Sequence, residues 1–271
     1  MSFVEQEDVF KVVENLLIKV FQKFSNKKFL YEKFPRIPFK EAMLKYATDK
    51  PDLRNPLQIN DLTVVFERDD VKFDIFKKLV KSGSVVRSIV TKNTKDKPRS
   101  FFDNLDKWAK TEGASGMAYF TFEKDKNLTA RGPVGKFFSS EALSKIMEIT
   151  GAQIGDSIFF SCDKETNVLQ LMSLARDKIA DELNLIDPNT FAFCWIVDYP
   201  MYEIDKISGK IKFSHNPFSM PQGEEKEIDL ENPLNIKAYQ YDIVCNLSLI
   251  HISEPTRQAE ISYAVFCMKK K

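Results

Sequence analysis

The chain has 271 residues, 43% of them hydrophobic and 12% aromatic, enough for one large or two ordinary domains with substantial cores. Its 40 basic and 39 acidic residues leave a net charge of +1, without the global charge signature of a nucleic-acid binder, though a local basic groove stays open. Cys162, Cys194, Cys245 and Cys267 show no C-x-x-C spacing, which argues against a zinc ribbon or a disulfide framework and fits a reducing compartment. No apolar run approaches the roughly 20 residues of a membrane span and no signal-peptide pattern opens the chain, so the expectation is a cytoplasmic globular protein with neither membrane nor DNA as partner.

In chain order, residues 5–24 carry Val9, Val12, Val13, Leu16, Leu17, Val20, Phe21 and Phe24 at helical spacing, with Glu5, Glu7 and Asp8 at the start and Lys19 and Lys23 near the end. Apolar period and charge placement both predict an amphipathic helix. Ile37-Pro38-Phe39 predicts a brief extended entry, and residues 40–46 a short helix. Residues 48–56, with Pro51 and Pro56, break regular structure as a rigid exposed loop, or simply as a turn at a domain boundary.

Between about residues 57 and 188 the texture becomes short and alternating. Ser100 is a candidate cap for a helix bearing Phe101, Phe102, Leu105 and Trp108, with Gly113 near its end. Residues 117–122 predict a strand, Ser140 opens a helix stopped by Gly151, and residues 157–161 predict another strand. Leu169, Met172, Ala175, Ile179 and Leu183 mark one face of a longer helix. The reading is an α+β module with its own core and nothing catalytic. Lys95, Lys97 and Arg99 form a small basic cluster with two readings, an RNA contact or a solvated face.

Residues 191–198 are apolar on both faces, as in a central strand, and Tyr199-Pro200 ends them. Ile211, Phe213 and His215 share one face of the next strand, and Gly209 in the intervening turn predicts an antiparallel hairpin. Tyr239, Tyr241, Ile243 and Cys245 predict a third alternating strand.

Residues 247–271, LSLIHISEPTRQAEISYAVFCMKKK, resemble the forced translation of a sequencing-library adapter, with Gln258-Ala259-Glu260 in the variable index. Those residues, His251 and Cys267 included, are set aside from functional reading. The alternative is a genuine C-terminal strand and basic tail.

There is no P-loop, G-x-G-x-x-G, G-x-S-x-G or H-E-x-x-H. What remains is His215 beside Asn216, a hydrogen-bonding pair at a strand end just before Pro217, suited to a small polar ligand or to a structural role. Asp198 reads either as a cation or partner contact or as a turn former.

The order YATDKPDLR, an α+β insertion, WIVDYPMYE, FSHNPFS and AYQYDIVCN resembles bacterial-type aspartyl-tRNA synthetase across residues 1–246. The insertion resembles a domain also found in certain tRNA-dependent amidotransferase subunits, which leaves a non-catalytic tRNA-interaction module as the alternative. The resemblance implies an α+β fold, a class II antiparallel sheet with helices interrupted by an α+β insertion. It implies catalytic-domain parts at 1–56 and 189–246 and the insertion at 57–188. It further implies aspartate, ATP and tRNA as partners, Mg2+ as the metal, and a homodimer.

On the same resemblance His215 contacts the aspartate substrate, and Asn216 stands where many relatives have a second histidine. Asp49, Lys50 and Asp52 receive no role beyond shaping their loop, and no catalytic or metal residue is assigned. Two departures accompany it. The ATP-gripping arginine expected before residue 1 and the magnesium ligands and motif 3 arginine expected after Asn246 are not in this chain, and Ala47-Thr48 replaces an expected Gly-Ser pair.

Overall fold

The computed structural model describes residues 4–124, 126–205, 208–214, 219–223 and 231–246. The first stretch forms α1 (Gln6–Phe24), β1 (Lys28–Phe29), β2 (Arg36–Pro38) and α2 (Phe39–Tyr46). Then come β3 (Ile59–Asp61), α3 (Thr63–Phe66), α4 (Asp74–Lys81), β4 (Val85–Thr91) and α5 (Arg99–Thr111). The middle ends with β5 (Ala118–Lys124), β6 (Leu128–Arg131), α6 (Ser140–Thr150), β7 (Ser157–Asp163) and α7 (Glu165–Glu182). Last are β8 (Thr190–Phe191), β9 (Phe193–Val197), β10 (Tyr199–Pro200), β11 (Tyr202–Ile204), β12 (Ile211–Phe213), β13 (Lys237–Ala238) and β14 (Asp242–Cys245). Helices and mixed or antiparallel sheets make an α+β fold, as the sequence predicts.

Contacts divide the chain into two compact units. One gathers the described residues of Met1–Ala42, Asp49–Arg54 and Asp187–Lys271; the other holds Met43–Thr48 and Asn55–Ile186.

In the first unit β9 lies at the centre of a three-stranded sheet, parallel to β2 and antiparallel to β14. All five of its residues are buried, which is why its sequence carries no polar alternation. Phe10 of α1 stacks on Trp195 with centroids 4.3 Å apart, and the Arg36 guanidinium lies 5.0 Å from the Phe10 centroid. Glu14 accepts the Trp195 indole N–H at 2.9 Å, and Glu7 takes Arg36 in a two-point pair at 2.9 and 2.8 Å. The aromatic interior thus has a polar tie at each edge, and each stacked pair adds about 1 kcal/mol beyond burial.

Three expectations change here. The apolar surface of α1 is wider than one face. Phe10 is fully buried and Val13, Leu17 and Phe21 pack beside it, but Val12, Leu16, Val20 and Phe24 are exposed. The partner of β12 is β11, with Ile204 opposite Ile211, so the Gly209 hairpin is shorter than one formed with β9. All three β12 residues are exposed, so that strand buries no face. The third strand begins only at Asp242, because residues 239–241 lie between β13 and β14.

The second unit is a five-stranded antiparallel sheet, β3-β4-β7-β5-β6, with helices on both faces. Val86 and Val90 of β4, Phe120 and Phe122 of β5, and Ile158 and Phe160 of β7 pack against α3, α4 and α6. Their strand neighbours Ile89, Tyr119 and Phe159 point the other way, to α5 and α7. Ser140 opens α6 and Gly151 stops it, as expected; Ser139 is its cap, the hydroxyl accepting from the Ala142 N–H at 3.0 Å. Pro98 precedes α5, so Ser100 sits inside its first turn.

Candidate functional site

The C-terminal end of β9 collects polar groups that its buried body excludes. Asp198 adopts a left-handed backbone, φ +58°, a conformation aspartate tolerates better than most residues. Its Oδ1 accepts from the Gln222 amide at 3.1 Å and its Oδ2 from the Lys237 ammonium at 3.1 Å. The Gln222 amide also donates to the Ala238 carbonyl, and its backbone N–H to the Lys237 carbonyl. Asp198 thus closes the strand end through contacts within its own chain, in keeping with the turn-former reading.

The next residue, Tyr199, is fully buried, with its ring 4.9 Å from Phe39 and its hydroxyl donating to Asp242 Oδ2 at 3.0 Å. Burial first, then the Asp242 charge, push the phenol far above its ordinary value, so it stays a neutral donor. Sequence reasoning gave Gln222, Lys237 and Asp242 no role; a signal was present only in the chemistry of isolated polar residues next to short apolar runs.

The β11–β12 hairpin leaves this strand end. The Tyr202 and Phe213 rings pack across it with centroids 5.0 Å apart and planes tilted by 33°, and Lys212 bridges Glu203 and Asp205. The Ser208 hydroxyl and backbone N–H, with Lys212 beyond, hold the half-buried Asp205 carboxyl at about 2. The Ser214 N–H donates to the Met201 carbonyl at 3.0 Å, tying the last described residue of the hairpin to the residue after β10. His215 and Asn216 follow directly in sequence and lie outside the described residues, as does His251.

The proline-bracketed loop is not the exposed one expected: Pro51, Asp52, Leu53 and Asn55 are buried, and side chains hold them. In the first unit Asp52, 2% exposed, accepts the Arg54 N–H and grips its guanidinium through side-chain contacts that include ones of 3.0 and 2.7 Å. The side-chain hydrogen bonding to Asp52 is the main cause that raises the Arg54 pKa. In the second unit buried Arg176 donates to the carbonyls of Leu57 at 2.7 Å and Asn55 at 2.8 Å. An arginine on the otherwise apolar face of α7 was the sequence signal for this clamp, and it went unread. Cys194 and Cys245 are buried thiols pushed up by desolvation to about 12 and about 11, inert rather than nucleophilic. Among the described residues no group of three or more His, Cys, Asp or Glu can hold a metal ion, so magnesium has no assigned ligand here. Nor is any helix long and apolar enough to cross a membrane.

The arrangement is a rigid polar rim of two carboxylates, an ammonium and an amide, without a nucleophile–base pair. It suits binding and orientation of a substrate that supplies its own nucleophile.

Residues 1–261 match the family described as tRNA synthetases class II (D, K and N). The chain is 74% identical over 246 residues to Aspartate--tRNA(Asp/Asn) ligase of Pelagibacter ubique, covering 91% of this chain and 41% of that protein. It is 51% identical over 246 residues to the protein of the same name from Ehrlichia chaffeensis, again 91% and 41%. It is 48% identical over 270 residues to that from a Wolbachia species, 99% and 44%. The chain thus spans about two fifths of the length of these curated relatives. With nearly its whole length matched, the chain belongs to the class II tRNA synthetases of the D, K and N group.

Proposed function

We propose that the chain is part of an aspartate–tRNA ligase. The observation that carries this is the 74% identity, sustained over 246 residues, to a protein so named. In the reaction a carboxylate oxygen of aspartate attacks the α-phosphorus of ATP, forming aspartyl-adenylate and releasing pyrophosphate. A hydroxyl of the tRNA's terminal ribose then takes the aspartyl group and AMP leaves. The substrate brings its own nucleophile, so the protein's task is positioning and charge stabilisation, in keeping with the polar rim beyond β9.

His215 and Asn216 contact the aspartate substrate. What supports this is their place in the FSHNPFS segment, directly after Ser214, whose N–H is tied to the Met201 carbonyl. ATP and tRNA are the other substrates, Mg2+ accompanies ATP, the working form is a homodimer, and the compartment is the cytoplasm. The catalytic part comprises 1–56 and 189–246, the insertion 57–188, and residues 247–271 are adapter translation.

The test is aspartate-dependent ATP–pyrophosphate exchange by the full-length enzyme. His215→Ala is expected to raise KM for aspartate at least about tenfold, the loss of one charge-assisted hydrogen bond, and to leave KM for ATP nearly unchanged. Absence of exchange by the full-length enzyme would overturn the ligase reading, and an unchanged aspartate KM in the variant would overturn the role of His215; sequencing the source DNA across the Leu247 codon tests the tail.

A further inference from the structure

The loop after β4 carries Lys95 and Lys97, and the first residue of α5 is Arg99. With Arg131 at the end of β6, these cations line a single cavity of about 660 Å³ in the second unit. Phe102 and Tyr119 form part of its wall, their rings stacked 4.7 Å apart, and Asp96 is the one carboxylate among the lining residues.

The basic loop is built, not merely solvated. Buried Asp156 accepts from the Asn93 N–H, the Gln153 N–H and the Lys92 ammonium at 2.8–2.9 Å, closing the base of the loop. The Lys95 N–H donates to Gly155, and its carbonyl accepts from the Arg131 guanidinium. On the opposite rim, Gly132 is pressed so closely on β5 that a Cβ would stand 2.9 Å from Phe120 Cα and the Tyr119 carbonyl. A ligand entering here therefore meets a preformed surface and orders little of it. Arg99 pairs with Asp103 at 3.2 Å and Arg131 with Glu123 at 3.0 Å. Both pairs are exposed, and exposed pairs are weak enough for an incoming anion to displace.

We propose that this cleft binds a nucleotide unit, its phosphate held by Lys95, Lys97, Arg99 and Arg131 and its nucleoside lodged against the Phe102–Tyr119 wall. A lone phosphate needs neither the apolar wall nor a cavity of this size. The Tyr119 hydroxyl is already donated to Asp103 at 2.9 Å, so the wall serves by shape and apolar contact. The nucleotide has two sources, a free nucleotide or a segment of single-stranded RNA.

The test measures fluorescence anisotropy of a labelled single-stranded oligoribonucleotide on the 271-residue chain at 50 and 200 mM salt. One strand phosphate neutralised in the cleft predicts about a threefold loss of affinity over that range. The pair Lys97→Gln with Arg99→Gln, both exposed and outside the core, removes two of the four cations around that phosphate and is expected to weaken binding at 50 mM salt at least about tenfold. Lys145→Gln with Lys178→Gln removes the same charge from α6 and α7, away from the cleft, and is expected to match the unaltered chain. Lys95 and Lys97 are expected to be protected from acetylation by the oligonucleotide.

Affinity that grows with oligonucleotide length identifies RNA, and equal competition by a nucleoside monophosphate identifies the free nucleotide; either supports the site. The proposal is overturned by absence of binding at 50 mM salt, by equal losses in the two double variants, or by equally good competition from inorganic phosphate or an acidic peptide.

Discussion

Replacing Arg176 by methionine keeps the length and apolar stem of a side chain only 3% exposed while removing its guanidinium. The bonds to the carbonyls of Leu57 and Asn55 go, together with the cation 5.0 Å from the Tyr46 ring centroid and a long 3.7 Å pair with exposed Asp177. Hydrogen bonds from a charged donor contribute about 1.5–3 kcal/mol each, and the ring contact about 1 kcal/mol. Against this, methionine no longer requires a charge to be desolvated, so the net loss is about 3 kcal/mol.

The chain has two tryptophans, Trp108 in the second unit and Trp195 in the first, so a Trp195→Phe background leaves Trp108 to report on the unit that Arg176 clamps. With a urea dependence of about 1.5 kcal/mol per molar, the midpoint is expected to fall by about 2 M. Arg176→Lys keeps the charge without the planar fork and is expected to fall in between. A midpoint change below about 0.5 M for the methionine variant would refute the clamp.

Ala47 stands at φ +55°, where an L side chain costs about 1–2 kcal/mol and glycine costs nothing. Ala47→Gly adds entropy to the unfolded chain worth about 0.4–1 kcal/mol, so a net gain of about 0.5–1 kcal/mol is expected in the same urea assay; a lower midpoint would contradict it. Asp70 is held at about 2, against an ordinary 3.8, chiefly by the Arg68 guanidinium and then by the Ser139 hydroxyl. A lowered folded value means stability that is present above the unfolded carboxylate's value and lost as pH falls towards 2. Its side chain is 31% exposed, so solvent screening leaves about 1 kcal/mol. Asp70→Asn is expected to show its full deficit at pH 7 and a shrinking one between pH 4 and 2; a constant deficit would remove the carboxylate from the account.

How far the fold was legible depended on how local the signal was. Apolar periodicity announced α1 and α6 to within a residue and one face of α7, because a helix bonds within its own segment. The buried run at 193–197 announced a central strand for the same reason of burial on both faces. Strand partners were another matter. Whether Ile211 faces Ile204 or β9 is settled by pairing between distant segments, and three exposed residues carry no pattern to choose it. In the sequence, Asp198 and the His215–Asn216 pair stood out as polar residues expected at strand ends, and of these the structure describes Asp198. Gln222, Lys237 and Asp242 did not, since their meaning comes from who stands across a 3 Å gap.

By itself the sequence determined the α+β class, the main helices, the buried central strand and the family, all of which follow from local pattern or from the order of short motifs. Only the tertiary structure decided that Arg176 clamps the proline-bracketed loop. The same is true of Asp198, which joins Gln222 and Lys237, and of Lys95, Lys97, Arg99 and Arg131, which line one cleft. Those outcomes depend on residues separated by up to more than a hundred positions, whose proximity is a product of burying the cores and is written in no single stretch of chain.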